Sequence, residues 1–213
     1  MARKIQEKPR KSRPRVPYPI VIIACDGAKA ERVYFSHFKR QARNKPLHIV
    51  LVKEAAGKGY LEIIQAAARA KAEVEGSATV WCVSDVDVNY NTPNALQAKN
   101  NQLKKYINEA NKHGFNIALS NPCFELWYLL HFEVTKAYLK DYDAIEKKLT
   151  TSRYIANYKK NADVYNALAD KQTTAISNAE KLKQHHKDQN IIDLMDVATN
   201  PYTNIWELAK TLT

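Results

Sequence analysis

The sequence predicts an α/β protein: a mostly parallel four-stranded sheet flanked by helices, followed by a helical C-terminal extension. Three observations lead there. Short apolar runs alternate with stretches of helical periodicity from residue 19 to residue 132. Each run is too short for a free-standing helix and rich in β-branched residues, as in strands buried on both faces. After about Glu133 the composition shifts to Lys, Asp, Asn, Tyr and Ala, and helical patterns follow.

The first run is Pro19 to Cys25. It ends at Asp26-Gly27, and from Lys29 the apolar residues Val33, Tyr34, Phe38 and Ala42 fall at helical spacing, with Arg and Lys opposite. Strand, acidic-glycine turn and helix open a βαβ unit. Leu47 to Lys53 is the second strand. Gly57-Lys58-Gly59 then opens an alanine-rich helix running to about Glu75; this turn either cradles a phosphate through Lys58 or simply reverses the chain. Thr79 to Val83 is the third strand and ends in Asp85-Val86-Asp87. A polar loop leads to a helix over Ala95 to Lys112, closed by His113-Gly114 with glycine at the C-cap. Phe115 to Leu119 is the fourth strand, broken by Ser120-Asn121-Pro122. The next segment, Cys123 to Phe132, is apolar nearly all round and so reads as a buried helix, yet it carries Glu125 and His131. Beyond it, segments near 141–150, 161–187 and 202–212 read as amphipathic helices. The chain divides into a disordered basic arm (1–16), an α/β core (17–134) and a helical C-terminal region packed on the core (135–213).

Composition narrows the function. Lys and Arg number 33 against 22 Asp and Glu, a formal charge of +11, which favours a polyanionic partner such as nucleic acid. The arm concentrates this charge; Arg13 and Arg15 in it either hold phosphates or serve as a solubilising tail. The three cysteines lie far apart in apolar runs, without metal-knuckle spacing, and read as reduced buried thiols. No run of 18 apolar residues suggests a membrane span. A soluble cytoplasmic protein is expected.

In a parallel sheet all strand carboxyl ends share one edge, where open α/β folds place their chemistry. Here that edge collects Asp26, with Glu31 one turn into the following helix, then Asp85 and Asp87, then Glu125. Acids gathered on one edge repel unless a cation neutralises them, and hard oxygen donors suit Mg²⁺ or Mn²⁺. The alternative is a set of separate surface acids.

These residues also resemble a known family. Cys25-Asp26-Gly27-Ala28-Lys29-Ala30-Glu31 followed by Tyr34-Phe35 is similar to the family's Cys-Glu-Gly-Glu-Lys-Thr-Glu…Tyr-Phe opening. Asp85-Val86-Asp87 matches its central Asp-x-Asp. Ser120-Asn121-Pro122-Cys123-Phe124-Glu125-Leu126-Trp127-Tyr128-Leu129-Leu130-His131-Phe132 is the most specific match, and Asn200-Pro201-Tyr202-Thr203 resembles a late Asn-Pro element. The family is that of the RloB-like proteins, a branch of the toprim superfamily, and the resemblance spans most of residues 18 to 212. It implies a toprim-like core binding Mg²⁺, phosphodiester cleavage, and a role as effector of a prokaryotic anti-phage, abortive-infection system beside an ABC- or SMC-like ATPase partner. Two positions depart from the pattern: Asp26 and Ala28 stand where the family has Glu.

On this reading Asp26, Asp85 and Asp87 are the metal ligands, and Asp26 can instead act as general base. Glu31 orients Asp26 or binds a second ion. Glu125 needs a partner inside its apolar helix, and His131 is either a general acid or a core histidine. Lys29, Ser120 and Asn121 join Lys58, Arg13 and Arg15 as candidate nucleic-acid contacts. The leading expectation is a metal-dependent nuclease acting on RNA, possibly tRNA, or DNA. Its rivals are a non-catalytic nucleic-acid-binding or ATPase-docking module with a degenerate site, and a nucleotidyl or phosphoryl transferase.

Overall fold

A computed structural model describes residues 18–27, 29–53, 59–150, 154–155, 157–160 and 162–213. The expected basic arm, with Arg13 and Arg15, and the turn residues Gly57 and Lys58 lie outside the described residues.

The four strands foreseen in the sequence are present: β1 (Ile20–Cys25), β2 (His48–Val52), β3 (Ala78–Asp85) and β4 (Asn116–Asn121). They run parallel in the order β2-β1-β3-β4. A two-residue fifth strand, β5 (Tyr202–Thr203), joins antiparallel beside β4, pairing Ser120 with Thr203 and Asn121 with Tyr202. So short a strand carries no periodicity of its own, and the sequence reads it as the start of the last helix.

Successive residues of a strand face opposite sides, and β1 shows this cleanly. Ile22 and Ala24 pack with α2 (Tyr60–Ala72) and α3 (Ala95–His113), through Ile63, Ile64, Leu103 and Tyr106. Val21, Ile23 and Cys25 pack on the other face with α1 (Ala30–Gln41), through Tyr34, Phe35 and Phe38. That second face is covered further by α4 (Glu125–Leu130), α5 (Tyr142–Leu149), α6 (Tyr165–Leu168), α7 (Gln172–Asp188) and α8 (Ile205–Leu212). The C-terminal helices therefore share one core with the sheet.

Local chemistry sets the element ends. Gly114 caps α3 at φ +65°, a left-handed conformation that glycine adopts without penalty. The Asp141 side chain accepts the Ala144 N–H and starts α5. The expected helix over 161–187 is split into α6, a one-turn 3-10 segment (Ala169–Lys171) and α7. Asp163 accepts the Tyr165 N–H, which fixes where α6 begins. All three cysteines are free and buried. Among the described residues, no helix is long and apolar enough to cross a membrane.

Asparagines fasten the C-terminal region to the end of β4. Asn204 Oδ1 accepts the Leu119 N–H at 2.6 Å, while its Nδ2 donates to the Ile117 carbonyl at 2.8 Å. Asn200 accepts the Leu139 N–H at 2.8 Å and donates to the Leu139 carbonyl and to Asn121 Oδ1. Asn204 is 2% exposed, so removing its amide strands two backbone groups away from water. Asn204→Ala is expected to destabilise the fold by about 2–4 kcal/mol in urea denaturation; a loss below about 0.5 kcal/mol would deny the latch its role.

Candidate functional site

β1 and β3 are neighbours whose chains leave in opposite directions. β1 continues through α1 on one face to β2, and β3 continues through α3 on the other face to β4. A crevice opens at the carboxyl ends of strands that diverge in this way. Here it is a cavity of about 400 Å³ lined by Asp26, Gly27, Lys29, Ala30, Glu31, Asp85, Asp87, Lys99, Cys123, Glu125, Tyr142 and Lys160. All five carboxylates expected on that edge line the same cavity.

Backbone bonds hold them there. Asp26 N–H donates to the Val83 carbonyl at 2.9 Å, tying the end of β1 to β3. Val86 and Asp87 donate to the Ser120 and Pro122 carbonyls, carrying the pairing of β3 with β4 past the last strand residue. Asp87 then turns at φ +38° and remains exposed. Gly27 makes room for an acid. A Cβ built there would lie 1.7 Å from Glu31 Oε2, so any side chain would claim the space of that carboxylate. Glu31 and Glu125 are each 3% exposed. The partner that Glu125 requires is the Tyr158 hydroxyl, 3.4 Å from its Oε1.

Electrostatics follow from this crowding. Burial raises Asp26 to about 6, helped by Asp87 and Glu62 and opposed by Lys99. Burial raises Glu31 to about 7, and Glu125 and Asp26 add to it. Asp85 is held well above the ordinary carboxylate range by burial, then by Glu31 and Glu125. Its Oδ1 is shut off from solvent without a hydrogen-bond partner.

That orphaned oxygen, in a cavity whose acidic groups are all oxygen donors, fits a hard divalent cation. Asp26, Asp85 and Asp87 are the residues that could hold one. Among the described residues, no group of three or more His, Cys, Asp or Glu side chains forms a ready-made metal site, so ligation requires these carboxylates to draw together.

Other expected site residues lie elsewhere. His131 is 1% exposed and does not line the cavity; its Nδ1 lies 2.8 Å from the Trp127 carbonyl, and its ring packs against Trp127 and Tyr34. Burial lowers it to about 4, so it is a neutral core histidine at physiological pH. Ser120 and Asn121 are also buried away from the cavity. Ser120 Oγ bonds Thr203 Oγ1, and Asn121 donates to the Val197 and Thr199 carbonyls. Their chemistry goes to the C-terminal latch, which leaves none for nucleic acid. Lys29 lines the cavity and is exposed.

Tyr142, one of the C-terminal tyrosines whose interleaving with lysines suits nucleic-acid binding or a partner interface, lines the cavity, and the sequence reading did not single out two lining lysines, Lys99 and Lys160. Lys99 is half-buried in the first turns of α3, with Nζ 4.7 Å from the centre of the Tyr60 ring. Burial lowers its pKa, and Asp87, Asp26 and Asp85 oppose that shift. The available signal was position, since the N-terminal turns of a crossover helix lie at the carboxyl edge of the sheet.

A titration tests the crowding. The folded value of Glu31, about 7, exceeds its ordinary 4.5. A raised carboxylate contributes its full stability below 4.5 and loses it as pH rises through about 7. In EDTA, the Tm of Glu31→Gln relative to wild type is expected to climb by about 5–10 °C between pH 4.5 and 8. A difference that stays flat with pH would contradict the assignment.

Residues 21–212 match the family described as RloB-like protein. No curated protein and no solved structure gives a significant match. With the match covering nearly the whole chain, and with the motif acids gathered in one crevice, this protein belongs to the RloB-like family.

Proposed function

We propose that this chain is a Mg²⁺-dependent nuclease, with a toprim-like active site, that hydrolyses phosphodiester bonds in RNA, tRNA included, or in DNA. The observation that carries the reading is the partnerless Asp85 Oδ1, enclosed beside four further carboxylates in a protein of formal charge +11. Such a cluster is costly unless a cation joins it.

When bound, Mg²⁺ or Mn²⁺ would polarise the scissile phosphate and ease deprotonation of water. Asp85 and Asp87 would hold the cation together with Asp26. Glu31, on the cavity wall beside these acids, would accept the proton of the attacking water. Lys29 and Lys99 meet the phosphate oxygens and offset the acids around them. Asp26 has one methylene less than the family's Glu and would meet the cation from a strand end fixed by its bond to Val83. The family's setting extends the proposal to an effector of anti-phage defence that works with an ABC- or SMC-like ATPase.

One observation favours a second reading. The described carboxylates form no ready-made metal site, which also suits a module that binds nucleic acid without cutting it.

Labelled tRNA, single-stranded RNA and duplex DNA incubated with Mg²⁺ or Mn²⁺ separate the two. Asp87 is exposed, so its removal spares the core. Asp87→Ala is expected to slow cleavage at least about 100-fold, and EDTA to abolish it. Equal cutting by both proteins would place the chemistry elsewhere. Tight, salt-sensitive binding with no cutting, even with the ATPase present, would support the binding module.

A further inference from the structure

We infer that Tyr90 and Tyr138 form a stacking platform for unpaired bases at the rim of the acidic cavity, so that the site takes single-stranded nucleic acid. The inference deepens the nuclease reading and rests on it for what the cavity does. The two tyrosines come from separate segments, yet their hydroxyls are hydrogen-bonded to each other. They are 39% and 59% exposed, and apart from Tyr18 they are the only exposed large aromatic residues among those described. Rings held from two sides and left open to solvent are not core packing.

Chain connectivity ties both tyrosines to the cavity. Asp87, which lines it, is three residues before Tyr90; Tyr142, which also lines it, is four residues after Tyr138. Chain reach keeps the Cα of Tyr90 within about 11 Å of that of Asp87, and the Cα of Tyr138 within about 14 Å of that of Tyr142. Lysines accompany the aromatics. Lys140 Nζ is 5.9 Å from the centre of the Tyr90 ring, and Lys160 Nζ, on the cavity wall, is 4.5 Å from that of Tyr142. Aromatic faces for bases beside lysines for phosphates are how sequence-tolerant single-strand sites are built. A duplex hides its base faces in its own stack and offers the platform nothing to bind.

The test is binding measured without cleavage. Fluorescein-labelled oligouridylate, oligothymidylate and a duplex of the same length would be titrated with the full chain in EDTA, reading anisotropy. Wild type is expected to prefer the single strands. The Tyr90→Ala/Tyr138→Ala variant should bind them roughly 10- to 100-fold more weakly, with duplex binding unchanged. Tyr90→Phe/Tyr138→Phe keeps the rings and should stay within about threefold of wild type; circular dichroism establishes that both variants fold. Equal single-strand affinity for wild type and the Ala variant, or equal affinity of wild type for single strand and duplex, would overturn the platform. Cleavage with Mg²⁺ is read separately. Platform-dependent binding with no cutting would remove the nuclease reading and leave the platform standing. Cutting by the Ala variant at wild-type KM would do the reverse.

Discussion

Like charge held at close quarters is the constraint on which the rest of this structure depends. Five carboxylates line one cavity, and the three at its back, Glu31, Asp85 and Glu125, each raise the proton affinity of at least one other or are raised in turn. Nothing local favours this arrangement. It persists because the elements carrying the acids are fixed by interactions that do not involve them. Asp26 is tied to β3 through the Val83 carbonyl, and Asp87 to the end of β4 through the Pro122 carbonyl. Glu125 begins a helix whose six residues are all buried. The apolar cores on both faces of the sheet supply the free energy that holds the acids together.

The C-terminal region belongs to the same logic. Asn200 and Asn204 use side-chain amides to satisfy backbone groups of Leu139, Ile117 and Leu119, where a longer strand would use its own backbone. The latch secures the edge of β4 from which Asn121, Pro122 and the cavity residue Cys123 follow. It also brings Tyr142 and Lys160 onto the cavity wall and Tyr138 against Tyr90. One cavity thus receives acids from the strand ends and from α1 and α4, and cations from both the sheet's helices and the C-terminal region.

Much of this was legible in the sequence, for identifiable reasons. Continuous β-branched runs marked the four parallel strands, because strands buried on both faces leave no place for polar residues. Acids just past those runs had to share one edge, and they do. What escaped depended on tertiary partners. Asn121 sits in the most specific motif of the chain, yet its partners lie in the 197–200 segment, and the motif left His131 open between general acid and the core histidine it is, because a motif does not reveal which of its members serve packing. Lys99 was hidden among the many lysines of α3; only its place in the first turns of that helix distinguishes it. Tyr90 and Tyr138, 48 residues apart, become a feature only when the fold joins them.

The central claim is that the crevice is a divalent-cation site built around Asp85, and direct titration of Mn²⁺ into the full chain, followed by electron paramagnetic resonance of the free ion, tests it most simply. Saturable Mn²⁺ binding is expected, displaced by Mg²⁺ and abolished by Asp85→Asn with the far-ultraviolet circular dichroism unchanged. Wild type that takes up no Mn²⁺, or an Asp85→Asn variant that binds it as wild type does, would contradict that claim.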